Sequence, residues 1–283
     1  MLNEFTVGLR TTERDMDAMV PLSMSAEGVG AAMYLFAFLA GSRAGGVAGL
    51  TLVLIGAAAL FVHLGHPLRF WRVIAETGRA WMSRGAVFTA GLIILGAVAL
   101  LFRGEGLALL IVQALALTCT FFVVLYTGVL FSSINAVPLW NTALLPIVFL
   151  LHSLTSAALL LTAMLSLTGG SLVANSREFG AVIALLSATL ALTWLFTRSM
   201  PDTVAAQESV RLLTAGRLKP LFQFGAVLAG LASPLLLVTL AFAFRNSPTI
   251  SGLLLLAAIF LRLAGDVSLR YALLRAGVYN PLI

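Results

Sequence analysis

Few side chains in this sequence can carry a proton or a charge inside an apolar setting, and they are unevenly placed. Glu27 stands in Ser23-Met-Ser-Ala-Glu-Gly-Val-Gly30, Tyr126 opens Tyr126-Thr-Gly128, and His63 and His66 lie three residues apart. His152 falls in an otherwise uncharged stretch, and Asp266 is flanked at i−4 and i+4 by Arg262 and Arg270. A carboxyl, a phenol and an imidazole at one depth suit a quinol, whose oxidation releases two electrons and two protons. The phenol of Tyr126 can hydrogen-bond the ring oxygen. Glu27 or His66 can take up protons, with Ser23 and His63 as further polar contacts.

The elements that must position these groups are membrane spans. The chain has 283 residues, 60% hydrophobic and 10% charged, with a mean hydropathy of +1.06, where a soluble domain carries about 25% charged residues. About 20 apolar residues make one span, and eight candidates emerge: about 20–41, 45–65, 85–103, 106–132, 142–166, 178–198, 221–244 and 249–267. The expectation is an all-α integral membrane protein, one polytopic domain over 1–283. The uncharged turn after Tyr126, ending in Pro138-Leu-Trp-Asn141, is the seam between four spans and four. The first nineteen residues mix charges with no apolar run and do not read as a signal peptide. The first span is expected to act as the insertion signal.

An even number of spans places both termini on one side, the N-side. Twelve Arg and Lys residues fall there against four opposite, a bias that points to a cytoplasmic N-side. The basic pI near 10.4 is thereby explained without nucleic acid. The single cysteine, Cys119, excludes an iron–sulfur cluster or a cysteine zinc site held by this chain alone. A bis-histidine haem would need His152 to pair with His63 or His66, whose depths match poorly, so neither haem nor metal is expected.

Charged groups within a bilayer cost at least about 2.5–3.5 kcal/mol each near the centre of a span, so each residue has two readings. Asp266 with Arg262 and Arg270 reads as a self-neutralising structural set on one helix face. His152 reads as a packing histidine. Tyr126 fits an interfacial tyrosine belt as well as a site. His63 and His66 lie where a histidine is cheap, whereas Glu27 is harder to explain without proton handling. These groups crowd the N-side half and leave the far half almost pure hydrocarbon. That pattern disfavours a transporter or proton channel, which needs a polar path right across. A structural anchor without quinone chemistry is the other alternative.

His63-Leu-Gly-His-Pro-Leu-Arg-Phe-Trp-Arg72 with Trp81-Met-Ser-Arg-Gly85 resembles the loop after span two of the NrfD/PsrC family, the membrane subunits of polysulfide reductases and their relatives. The dimethyl sulfoxide reductase anchors are more distant kin. Tyr126-Thr-Gly128 and Pro138-Leu-Trp-Asn141 are similar to that family's end of span four and the turn after it. Asp266 to Tyr271, then Arg275-Ala-Gly277, is similar to its last helix. The resemblance implies two four-helix bundles without haem or metal and a quinone or menaquinone substrate met by Tyr126. It also implies an iron–sulfur ferredoxin-like partner and a molybdopterin catalytic subunit beyond that. Under the resemblance Arg69, Trp71, Arg72 and Arg84 gain a docking role, Asp266 and Arg270 a structural one. The complex would serve anaerobic respiration in the cytoplasmic (inner) membrane of a prokaryote. Relatives offer Asn and His where this chain has Ser23, Ser25 and Glu27, so the role of Glu27 rests on its own chemistry.

Overall fold

The computed structural model describes residues 10–14, 17–63, 81–102, 106–168 and 176–280. Among them, eight helices are long and apolar enough to cross a membrane. They are α1 (Met19–Leu39), α2 (Arg43–His63), α3 (Trp81–Leu101), α4 (Leu107–Ser132), α5 (Leu144–Thr168), α6 (Ser176–Arg198), a π-helical segment (Pro220–Ala232) continuing as α8 (Ser233–Ala243), and α9 (Pro248–Arg275). A short helix, α7 (Val204–Thr214), lies between α6 and the π segment. The loop expected there thus contains a helix. Its start is capped by Thr203 Oγ1, which accepts the Ala206 N–H at 3.2 Å, and its Ala205, Ala206, Ser209, Leu212 and Leu213 face is buried. On the exposed face Arg211 donates to Glu208 at 2.6 Å and holds that carboxyl below its ordinary range.

Each span is apolar all round, so helix propensity and the demand for internal backbone bonding in lipid suffice to form it. What decides its neighbours is where small residues let backbones touch. A Cβ on Gly30 of α1 would lie 2.6 Å from the Gly49 carbonyl oxygen of α2. Contacts of this kind pair α1 with α2 and α3 with α4 in one group, and α9 with the π segment and α8 in the other. Helices α1 and α5 sit at the seam, α1 packing on α5 and α5 on both α4 and α9. One apolar core (Val29, Met33, Val53, Leu92, Val123) fills the first group, and another (Leu159, Phe179, Leu186, Leu231, Val238) fills the second.

The third core binds the N-side ends together. Trp140, from the central turn, stacks edge-on against Phe131 at 5.1 Å and donates its indole N–H to the Leu273 carbonyl at 2.9 Å. Thr12 donates its amide to the Gly277 carbonyl at 2.9 Å and its hydroxyl to Leu274 at 2.6 Å. Asn280 donates to Ala136 at 2.9 Å, and Arg217 is paired with Glu13. The amino-terminal arm, the central turn and the carboxy-terminal tail therefore form one tied surface.

Two features depart from the simple span pattern. Helix α9 runs to Arg275, past the expected end at 267, because its Arg262 and Arg270 are paired with Asp266 on the helix's own buried face and do not end the helix. The π segment is wide where Pro234 follows it. Proline has no N–H, so an α-helical ladder would leave the Gly230 carbonyl without its donor. Instead the Ser233 N–H bonds back to Leu228, and Arg262 donates to the Gly230 carbonyl at 3.1 Å. At the same level a Cβ on Gly265 would lie 2.1 Å from the Gly230 Cα. Replacing Gly265 with leucine is expected to force α9 from the π segment and cost more than about 3 kcal/mol, beyond ordinary overpacking. Thermal melting of the detergent-solubilised protein reads this, and an unshifted melt would refute the close-contact argument.

Candidate functional site

Glu27 lies eight residues into α1 and Tyr126 six residues before the end of α4. At 1.5 Å per residue both sit roughly 10 Å below the N-side ends of their helices. The two face each other: the Tyr126 hydroxyl donates to Glu27 Oε2 at 2.7 Å, with both residues buried. Glycines on two further helices make room for the pair. A Cβ on Gly56 of α2 would meet Glu27 Cγ at 2.7 Å, and one on Gly85 of α3 would meet the Tyr126 ring at 2.4 Å. All four helices of the first group therefore close on one carboxyl–phenol pair.

Ser23, one turn before Glu27, spends its hydroxyl on the Val20 carbonyl of its own helix at 2.8 Å. Ser25 Oγ is buried with no hydrogen-bond partner among the described residues. His63 ends α2. Its side chain, and His66, Arg69, Trp71 and Arg72, lie outside the described residues. Arg84 is described, with its guanidinium 4.9 Å over the Trp81 ring at the N-side end of α3.

Next to the pair, across Gly28, begins a second polar group. A Cβ on Gly28 would lie 2.5 Å from Ser153 Oγ of α5 and 3.4 Å from Arg270 Nη2 of α9. Arg270 donates to Ser153 at 2.8 Å and to Asp266 Oδ2 at 3.1 Å, and lies 4.7 Å over the Phe149 ring. Arg262, near the middle of α9, is 3.7 Å from Asp266 Oδ1 and bonds to both the carbonyl and Nδ1 of His152 at 2.9 Å. A guanidinium only donates, so Nδ1 must offer its lone pair. The ring proton is then on Nε2, which lies 3.1 Å from Thr193 Oγ1 of α6. Thr193 in turn donates to the Thr189 carbonyl at 2.7 Å.

Sequence reasoning set His152 aside as a packing residue and took Asp266, Arg262 and Arg270 as a set on one helix. The structure joins them across α5, α6, α9 and the π segment. The missed signal was available: His152 and Arg262 fall near the middles of their spans, where neither has water to turn to. The buried charges also show a balance. Two guanidinium groups, Arg262 and Arg270, share Asp266, and Glu27 is the other buried carboxyl among the described residues. What the arrangement can do chemically is hold a proton at Glu27 beside a phenol, next to fixed positive charge.

Removing the shared carboxylate leaves two buried cations without their counter-charge. Asp266→Asn is expected to destabilise the protein by about 3–5 kcal/mol, as breaking a buried ion pair does. Chemical denaturation in detergent measures it, and a loss under about 1 kcal/mol would show that the arginines are balanced elsewhere.

A protein-family model described as "Polysulphide reductase, NrfD" matches residues 24–281, nearly the whole chain. A search of curated proteins found no match.

Proposed function

We propose that this chain, which belongs to the polysulphide reductase NrfD family of reductase membrane subunits, oxidises a membrane quinol, or reduces the corresponding quinone, at Tyr126 and Glu27. The electrons pass to or from the iron–sulfur cluster of a ferredoxin-like partner on the N-side, with a molybdopterin subunit beyond. The observation that carries the reading is the 2.7 Å hydrogen bond from the Tyr126 hydroxyl to Glu27. Because the phenol donates to the carboxyl, its oxygen lone pairs remain able to accept an O–H from a quinol. A proton leaving the ring would then have a two-link route, through Tyr126 to Glu27. For the reverse reaction a quinone offers acceptors alone, and the phenol turns its proton to the ring while Glu27 resupplies it.

The apolar walls of the first helix group suit a substrate arriving sideways from lipid. Tyr126, 8% exposed against 2% for Glu27, is the point of contact, and the carboxyl stands behind it. The tied N-side surface, joining the amino-terminal arm, the Trp140 turn and the tail, offers the partner a rigid platform close to the pair. Arg84, with Arg69, Trp71 and Arg72, belongs to the same side of the chain and to the docking role. The charge bias supports a cytoplasmic position for this side, and the family supports the inner membrane of a prokaryote as the location.

Tyr126→Phe keeps the ring against Gly85 and removes the hydroxyl. Quinol turnover by the assembled complex is expected to fall about 10²–10⁴-fold, the range of a positioned proton donor. Unchanged turnover would leave the chain a structural anchor, which a quinone-analogue binding assay separates from a site. Glu27→Gln keeps the shape of the pair but cannot take a proton. The pH profile of turnover is expected to flatten on the limb set by the carboxyl, and a profile superimposable on wild type would remove Glu27 from proton transfer.

A further inference from the structure

We infer that the second helix group carries a binding site for an anionic phospholipid, in the groove between α6 and the π segment. The groove has a volume of about 800 Å³, within the range of roughly 300–1,000 Å³ typical of ligand pockets. It lies apart from Glu27 and Tyr126 and rests on none of the quinol chemistry above.

Its origin is in the backbone. Gly230 lies against Gly265, and a Cβ on Gly225 would lie 3.1 Å from Ser268, so this face of the π segment is drawn onto α9. The residues that line the groove, among them Gln223, Leu228 and, beyond the segment, Leu235, come from other positions of the turn. They face Leu190, Trp194 and Arg198 of α6. Trp194 is 61% exposed, although tryptophan is the largest side chain in this helix. From Arg198 to Ser187, both at the groove, eleven residues of helix span about 16 Å, close to one leaflet of a hydrocarbon core about 30 Å thick. The groove is therefore as deep as one acyl chain is long.

Chemistry changes along that length. The deep part is hydrocarbon, from Leu190, Leu228 and Leu235. The N-side mouth is polar: Arg198 is held 5.3 Å over the Trp194 ring, and Gln223 is oriented by its bond to the Thr214 carbonyl at 3.1 Å. Lys219, the lone lysine of the chain, is exposed one turn before Gln223 and so shares its side of the helix. Among the described residues, no Asp or Glu lines the groove. Arg198 and the Gln223 amide at the mouth, with Lys219 one turn before Gln223, stand above an apolar slot one leaflet deep and complement a phosphate with acyl chains. A zwitterionic headgroup offers the same phosphate but adds a cation of its own, so the site favours a lipid of net negative charge.

The test uses the full-length protein in nanodiscs of phosphatidylglycerol or of phosphatidylcholine, with bound lipid counted by native mass spectrometry after release. Wild type is expected to retain phosphatidylglycerol in preference to phosphatidylcholine. Each cation near the surface contributes about a fivefold preference, so Arg198→Ala with Lys219→Ala is expected to lower retention about 25-fold. Arg245→Ala, on the opposite side, is expected to leave it unchanged. Ala191→Trp fills the groove without touching either charge, and is expected to abolish retention of the tightly held lipid. Equal retention of the two lipids, equal loss from Arg245→Ala, or a quinone released in place of phospholipid would each overturn the site.

Discussion

Two arginines in the middle of a membrane bundle are the constraint to which the rest of this structure answers. A guanidinium keeps its charge in any environment a protein offers, so Arg262 and Arg270 must be paired or surrounded by acceptors where they stand. Asp266 meets one part of that demand. The carbonyls of Gly230 and His152, the His152 ring, Ser153 and the face of Phe149 meet most of the rest, while Arg262 Nε and Arg270 Nη1 are buried without a hydrogen-bond partner among the described residues. These partners come from α5, α9 and the π segment, and His152 adds α6 through Thr193. The second helix group is thus assembled around a polar knot, with hydrocarbon packing above and below it. Unlike an apolar contact, the knot has direction. Each donor needs its acceptor at one place, so the register of four elements is set together.

The proline in the seventh span belongs to the same device. Pro234 would by itself weaken the ladder within the span, and the freed carbonyl of Gly230 becomes the ligand that Arg262 requires. The neighbouring glycine contact with Gly265 brings the two backbones close enough for that bond. Drawing the π segment to α9 also opens its outer side toward α6, where a groove one leaflet deep remains. A single local defect therefore serves charge burial, helix packing and the shape of the lipid-facing surface.

The first helix group is built differently. Its polar pair, Glu27 and Tyr126, forms no ion pair with an arginine among the described residues and is enclosed by glycine-lined backbone from α2 and α3. The knot reaches it only through Gly28, which faces Ser153 and Arg270. Fixed charge lies in one group and the carboxyl–phenol pair lies in the other. For the proposed quinol site, which would gain and lose protons as electrons come and go, such a division would keep the frame constant.

Much of this was legible beforehand. Eight apolar stretches, the seam after Tyr126, the crowding of costly groups toward one side and the family likeness all follow from residue type and spacing. Lipid leaves a helix as the natural way to satisfy a backbone, and ionisable groups are rare enough in spans to be conspicuous. The end of α9 was misjudged because a hydropathy pattern counts charges and cannot see that two arginines share one buried aspartate. Helix α7 was missed because its sequence is short and polar on one face. The tertiary structure alone decided which rare groups meet: Glu27 with Tyr126 across 99 positions, and His152 with Arg262 across 110. The physical reason is that apolar helices in lipid carry no pattern that names their neighbours. Their rotation and pairing are chosen by small-residue contacts and buried polar partners, which exist only once the bundle has formed.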